Sequence, residues 1–461
     1  ATILLSAILG LVFYFTSANL ETESIRMMER IASQPFQMNA PGELGEDVRL
    51  RDVAFIAEHA DAFPGITVEE RSQREYPYGA LAAHVLGYTG SPSAARLEEK
   101  IEGRDILAID VVGNAGVEAT YDAYLSGEHG ESQVMVDANG RRISVMSDIK
   151  DTKGNDLYLT LDARYNYIAY EALAGRKGAV GVYNYETGEV LCMVSTPAFD
   201  PLYPPSAEEM EGNDAYDGVY LNRFLSGTFP PGSVYKTVVL SAAIERIPDL
   251  FDRTWTCTGS TQVGDGAITC PRAHGEQDIS SALANSCNGV FALLADELGE
   301  DVLEEYTVRA GLTSSYRVSG LNTAAGSFDF DGLTANELGW AGVGQYNDLA
   351  NPCALMVYMG AIANGGTAAM PRLVLKTENA LGLPSLPALP RHTKKLVEGD
   401  TAAALAELMA HNVTAQYGAS RFPNMDVCAK SGTAEVGGGK APHAWFDGFL
   451  RNPDAPYAFV V

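Results

Sequence analysis

Positive charge is scarce in this chain of 461 residues. Lys and Arg number 32 against 59 Asp and Glu, a formal net charge of −27. Nucleic-acid phosphates need clustered cations, so that class of partner is excluded. Long apolar runs are scarce too. Only residues 1–15, ATILLSAILGLVFYF, stay uncharged and apolar over such a length, and this falls short of the roughly 20 residues that a membrane-spanning helix needs. There is no Cys-x-x-Cys pair and no His-Glu-x-x-His, so the usual zinc-ribbon and zinc-protease spacings are missing. No repeat of 20–50 residues runs along the chain, which excludes solenoids and propellers. Apolar residues, by contrast, are plentiful. At 46 % hydrophobic the chain can bury a core, and its length suits two or three domains.

The chain opens on Ala rather than Met. Residues 1–19 read as the end of a membrane anchor that begins upstream; a cleaved signal core and a buried helix are the alternatives. The first basic residue is Arg26, and the flank before residue 1 is absent, so charge asymmetry cannot orient the segment. The rest is expected to be a water-exposed body on at most one span. The charged, turn-rich stretch DIKDTKGND at 148–156 marks a boundary between a first domain over 20–155 and a second over 156–461. In the second, LYLTLDARYNYIAYEALAG passes from strand to helix, and GAVGVYNYETGEVLCMVSTPAF reads as two strands about a Glu-Thr-Gly turn. Helical patterns follow, and strand texture returns in DVCAKSGTAEV, HAWFDGFL and YAFVV. That order predicts an α/β or α+β domain whose sheet is assembled from both ends.

Six cysteines are present. Cys257 and Cys270 flank the Gly-rich stretch TGSTQVGDGAIT and form the candidate disulfide on an oxidising face. A zinc set of Cys257, Cys270 and His274 is the alternative. Cys192, Cys287, Cys353 and Cys428 sit among apolar or small residues and read as buried small hydrophobes.

Three short elements carry chemistry. In FPPGSVYKTVVLSAAIE the Pro-Pro-Gly run stops any earlier helix, so Ser233 falls at a helix N-terminus with Lys236 on the same face. A buried, neutral lysine can take the hydroxyl proton, and the helix terminus favours negative charge beside the serine. A second Ser-x-x-Lys, Ser147 to Lys150, lies in the charged boundary segment and reads as a solvated turn. The second element is Ser286-Cys287-Asn288, between two small-residue helices. Its Ser and Asn, two apart, can share a cleft as proton relay and amide clamp. An ordinary inter-helix turn would use the same residues, and Ser17-Ala18-Asn19 repeats the pattern. The third element is Lys430-Ser431-Gly432-Thr433 in a strand-like run. A cation, two hydroxyls and a residue without a side chain suit a peptide carboxylate approaching a strand edge.

Together and in this order, the three resemble the active-site set of penicillin-recognising serine transferases and hydrolases. FPPGS, GAVGVYNYETGEVLCMVSTPAFDP, ALANSCNGVF, GVGQYNDLANPCALMVYMGAIANGG, and KSGTAE followed by HAWFDGF narrow the resemblance to the transpeptidase domain of class B penicillin-binding proteins. EYPYGALAAHVLGY and GNAGVEATYDAYLSGEHGE resemble that family's pedestal domain. The resemblance implies a serine β-lactamase/transpeptidase-like domain over 156–461, a dimerisation-like pedestal over 20–155 and an anchor in the bacterial cytoplasmic membrane, with the body on its outer face. It implies Ser233 as nucleophile toward the D-Ala-D-Ala bond of a peptidoglycan stem peptide, and Lys236 as general base. Ser286 with Lys430 would relay the proton, Asn288 hold the substrate amide, and Ser431, Gly432 and Thr433 form the carboxylate strand. β-Lactams would acylate Ser233, a polytopic membrane glycosyltransferase would be the partner, and no metal or organic cofactor is implied.

Two departures stand out. No Arg-Gly-x-Ile-x-Asp-Arg-Asn-Gly-like strand occurs in residues 16–70, and the chain stops at Val461, within a strand; a fragment is therefore expected. A class A β-lactamase would carry Glu-x-x-Leu-Asn, and none is present. A β-lactam sensor would carry several spans and a zinc-protease module. A D,D-carboxypeptidase uses the same site with water as acceptor, and the sequence leaves that choice open.

Overall fold

One sheet joins strands from the middle of the chain to strands at its end. The structure, a computed structural model, describes residues 53–55, 58, 74–101, 104–138, 142–385, 389–437 and 441–461. In chain order the elements that matter begin with β1 (Glu131–Val136) and β2 (Arg142–Ile149), an antiparallel ribbon. Next come β3 (Asp156–Leu159), α1 (Ala163–Leu173), and the hairpin β4 (Gly178–Asn184) and β5 (Val190–Thr196). The helix α2 (Lys236–Arg246) precedes four short strands: β6 (Trp255–Cys257), β7 (Ser260–Val263), β8 (Gly266–Thr269) and β9 (Gly275–Gln277). After these lie α3 (Ile279–Ala284), α4 (Asn288–Leu298), α5 (Pro352–Ala363), β10 (Val374–Glu378) and α6 (Gly399–Asn412). The strands β11 (Val427–Ala434), β12 (His443–Leu450) and β13 (Tyr457–Val460) close the chain.

The main sheet runs β11-β12-β13-β4-β5 and is antiparallel throughout. This is the expected sheet built from both ends. The β4–β5 turn falls where Glu-Thr-Gly predicts it. Asn184 Oδ1 accepts from the backbone N–H groups of Glu186 and Thr187, and Gly188 supplies a positive φ of 79°. Both faces of the sheet are covered, so its strands read as near-continuous apolar runs rather than strict alternation. One face joins the large core with α2, α4, α5 and α6; the other packs Val427, Ala429 and Phe446 with Ala169 and Leu173 of α1. Helix α5 is hydrophobic on every side and is buried from Pro352 to Ile362. It starts where it does because Pro352 stands at the first turn and Asn351 Oδ1 caps the N–H of Ala354.

Tyr76–Val461 falls within one compact unit. The expected boundary near 155 lies just before β3, which pairs with β10 of the later region. The Ser147–Lys150 pattern differs from expectation. Ser147 belongs to the exposed strand β2, because residues 142–149 pair with β1 instead of turning. Among the described residues no helix is long and apolar enough to cross a membrane. The anchor expected over 1–19, with Ser17-Ala18-Asn19, lies outside the described residues.

Candidate active site

The Pro230-Pro231-Gly232 stop works as expected. Gly232–Val234 forms a single tight turn, and α2 begins at Lys236. Ser233 is half-buried on this turn, while Val234 and Tyr235 behind it are fully buried. Three backbones converge here because their contact residues lack side chains. Gly232 has φ 54°, and a Cβ on it would lie 2.6 Å from Thr433 O. A Cβ on Gly344 would lie 2.3 Å from Gly232 O, and one on Gly432 2.9 Å from Pro231 O. Gly432 therefore lets β11 close on the serine turn. Gln345 ties the junction: its Nε2 donates to Thr433 O at 2.9 Å and its Oε1 accepts from Glu435 N at 3.3 Å. Trp445 Nε1 donates to Pro230 O at 2.9 Å.

Lys236 and Lys430 are 0 % and 1 % exposed, and they meet at one hydroxyl. Lys236 Nζ donates to Ser286 O at 2.8 Å, to Asn288 Oδ1 at 2.7 Å and to Ser286 Oγ at 3.3 Å. Lys430 Nζ donates to the same Ser286 Oγ at 3.0 Å and to Ser431 O at 2.8 Å. Burial, then the neighbouring Lys430 charge, holds Lys236 well below the ordinary lysine range. Burial lowers Lys430 to about 8, against an opposing pull from Asp447. Two ammonium groups around one buried hydroxyl repel, so one lysine is the neutral member. The acceptors of Lys236 lie on the Ser286–Asn288 turn; free-enzyme contacts to a nucleophile often tighten only with substrate bound.

Ser286 lies between α3 and α4, as its spacing predicts, with a left-handed φ of 53°. A non-glycine residue in that region costs about 1–3 kcal/mol and persists where the surroundings over-determine it. They do here: Ser286 N donates to Leu283 O, Cys287 N to Ala282 O, and Asn288 Nδ2 to Thr269 O at 2.9 Å. Ser431 behaves less simply. Its Oγ accepts from Tyr417 Oη at 2.8 Å, and its N–H donates to the same oxygen at 2.9 Å. Thr433, two residues on, is exposed. Tyr417, Gln345 and Asp447 are further site neighbours that stand outside the three short motifs. Gln345 stands in a segment that carries the family resemblance, whereas Tyr417 sits in a stretch with no local pattern.

The cysteines correct an expectation. All six are free thiols, so Cys257 and Cys270 are not bridged. Instead Cys257, Cys270, His274 and Cys287 converge, with their ligand atoms all within 4.8 Å of one another. Backbone bonds fold the segment this way: Cys270 N donates to Gly259 O and His274 N to Cys257 O. Cys287, read from sequence as a small core residue, is the added fourth donor. Its sulfur lies 3.8 Å from that of Cys270, a contact that chiefly holds the Cys270 thiol down at about 5. His274 Nδ1 is buried without a hydrogen-bond partner among the described residues. Three thiols and an orphaned imidazole nitrogen fit a four-coordinate zinc ion.

A serine on a tight turn, a second serine held between two buried lysines and a sheet edge closing on both form one serine–lysine cluster. The comparisons place the chain more narrowly. A family model for the penicillin-binding protein transpeptidase domain matches residues 178–461, and one for the penicillin-binding protein dimerisation domain matches residues 4–159. The chain belongs to the penicillin-binding protein transpeptidase family, in the class B arrangement of these two domains. It is similar to peptidoglycan D,D-transpeptidase MrdA of Acinetobacter baumannii, at 28 % identity over 361 residues, 71 % of this chain and 51 % of that protein. The protein of the same name from Escherichia coli K12 is 28 % identical over 427 residues, 84 % of this chain and 65 % of that one. The chain thus spans between half and two thirds of the length of these relatives. Among solved structures, the D,D-transpeptidase domain of a peptidoglycan glycosyltransferase from Eggerthella lenta matches with a TM-score of 0.68 and 27 % identity, covering 85 % of this chain and 88 % of that one. The mixed α/β transpeptidase fold expected from sequence is therefore the fold observed.

Proposed function

We propose that this protein is a peptidoglycan D,D-transpeptidase that works through a Ser233 acyl-enzyme. The observation that carries the reading is the pair of buried lysines sharing the Ser286 hydroxyl beside the Ser233 turn. Ser233 Oγ attacks the carbonyl between two D-Ala residues of a stem peptide, and neutral Lys236 takes its proton. Ser286, fed by Lys430, passes a proton to the leaving amine as the C–N bond breaks and D-Ala departs. The N–H groups of Ser233 and Thr433 face the developing oxyanion; a donor of this kind contributes about 3 kcal/mol to the transition state. Asn288 holds the substrate amide. Thr433 takes the terminal carboxylate together with Ser431, which Tyr417 orients. An amine from a second strand then attacks the acyl carbonyl and gives its proton through Ser286 to Lys430, while the ester C–O bond breaks and Lys236 returns its proton to Ser233 Oγ, forming the cross-link and freeing Ser233. β-Lactams acylate the same oxygen. The body works on the outer face of the bacterial cytoplasmic membrane, beside a polytopic glycosyltransferase that supplies glycan strands.

A donor peptide ending in D-Ala-D-Ala, supplied with an amine acceptor, tests this reading. D-Ala release with the acceptor joined to the donor is expected. Release with water as the sole acceptor would make the protein a carboxypeptidase, and rapid turnover of penicillin would make it a β-lactamase.

The Cys257, Cys270, His274 and Cys287 set would hold zinc, which supplies structural cross-bracing there rather than chemistry. Because Cys287 lies between Ser286 and Asn288, that brace would stiffen the turn both lysines bind. Elemental analysis of the purified chain is expected to find about one zinc per molecule. Cys287→Ser and His274→Ala are each expected to lose it and to melt several degrees lower. Wild-type protein that is folded, free of zinc and unable to take it up would contradict the assignment.

A further inference from the structure

Asp447 is the buried group that the mechanism above leaves unused. It sits in the middle of β12, 0 % exposed, and neither carboxylate oxygen has a hydrogen-bond partner among the described residues. Leaving a carboxylate unpaired in a core costs several kcal/mol unless a charge answers it. The register names the answering group. Asp447 is the direct cross-strand partner of Lys430, and directly opposed residues of an antiparallel pair project from the same face, about 5 Å apart. Nothing else among the described residues fills that role. Its partner on β13 is Val460. The titratable residues of α5, which packs over β12 and β13, are Cys353 and Tyr358, both kept neutral by burial. Cys428, the next inward residue of β11, is likewise held neutral, and the turn packed against β12 offers the Ser233 hydroxyl. Among the described residues Lys430 is therefore the one cation facing Asp447.

We propose that Asp447 is a positioning residue that acts through Lys430: a counter-charge built into the neighbouring strand, which keeps Lys430 an ammonium while it donates to Ser286 Oγ. This deepens the transpeptidase reading and rests on the role that reading gives Lys430. The physical gain is asymmetry. The two lysines already differ in their surroundings, and Asp447 adds to that difference on the side of Lys430. With Asp447 behind Lys430, the proton stays on the lysine of β11, and Ser286 has a fixed donor on one side. Burial pushes the Asp447 carboxyl well above the ordinary carboxylate range and Lys430 down to about 8, and each charge opposes the other's shift.

The test is the pH profile of the acylation rate by a penicillin, taken from pH 5 to 10 on the full chain. The wild-type rate is expected to fall as pH rises past about 8, where Lys430 gives up its proton. Asp447→Asn removes the charge and keeps the shape. It is expected to move that falling limb down by about one pH unit, with the plateau within about ten-fold of wild type. Asp447→Ser, smaller and also uncharged, is read the same way if the Asn protein does not fold. In a Lys430→Met background, Asp447→Asn is expected to change nothing further. A falling limb that stays at the wild-type pH in the Asp447 variants overturns the proposal, whatever happens to the plateau, because a merely structural role lowers the rate at every pH alike. A falling limb that survives in Lys430→Met alone would instead show that Lys430 does not carry it, a failure of the underlying reading that this variant registers separately.

Discussion

Ser233→Ala is expected to leave a folded protein that releases D-Ala from a D-Ala-D-Ala peptide at least about 10⁴-fold more slowly than wild type, and that gains no mass from penicillin. The size of the loss follows from the role. A nucleophile cannot be partly removed, and what remains is the rate that water achieves in a preorganised site. The fold should survive, because Ser233 is half-buried and the turn is held by neighbours that stay in place. The Gly232 N–H still donates to Gly344 O, and Tyr235 N to Gly232 O. Thermal melting within a degree or two of wild type checks this. Unchanged D-Ala release in the Ala protein would place the nucleophile elsewhere.

Lys236→Met is expected to give the next largest effect, a fall in acylation rate of about 10²–10⁴-fold, the range for losing a general base. Met keeps much of the buried stem, so packing is disturbed little. Two acceptors, Ser286 O and Asn288 Oδ1, lose their donor. The pH dependence separates loss of the base from a loosened turn. In the proposed mechanism the base is neutral Lys236, and burial and the Lys430 charge hold Lys236 below the usual lysine value. The wild-type rate should therefore rise with pH as Lys236 loses its proton, then fall above about 8 as Lys430 loses the one it must keep. Both limbs belong to the coupled pair. In Lys236→Met the rising limb should vanish and the falling limb remain. A low rate with both limbs intact would assign Lys236 to structure alone.

Much of this site is legible in the chain because local chemistry dictates it. Pro-Pro-Gly ends one course of the chain and begins a helix, so Ser233 and Lys236 are placed by three consecutive turn-forming residues. Ser286 and Asn288 fall in the turn between two runs of small residues, as their spacing suggests. The sheet is legible for a similar reason: the strand segments have apolar inward positions and Gly-rich or Asn-rich turns between them. What depends on tertiary convergence is not legible. Nothing local shows that Lys236 and Lys430, nearly two hundred positions apart, meet at one hydroxyl. The strand period of two places Ser431 on the side of Val427 and Ala429, where Tyr417 packs. It does not show that a tyrosine from a separate segment waits there. The cysteines make the same point. A Gly-rich stretch between Cys257 and Cys270 suggests a bridge, but the hairpins β6–β9 and the start of α4 bring in His274 and Cys287 as well. The three residues of the alternative zinc set become four donors, with Cys287 the one that the sequence does not single out. Asp447 was invisible as a site neighbour because its importance lies wholly in its register opposite Lys430.

The most direct test of the serine–lysine account is to incubate the intact wild-type chain with a penicillin, digest it and map the added mass. One drug molecule per chain is expected, held through an ester on the peptide that carries Ser233 and stable over the time of the digest. A folded protein with no adduct, or with the drug on any other residue, would contradict it.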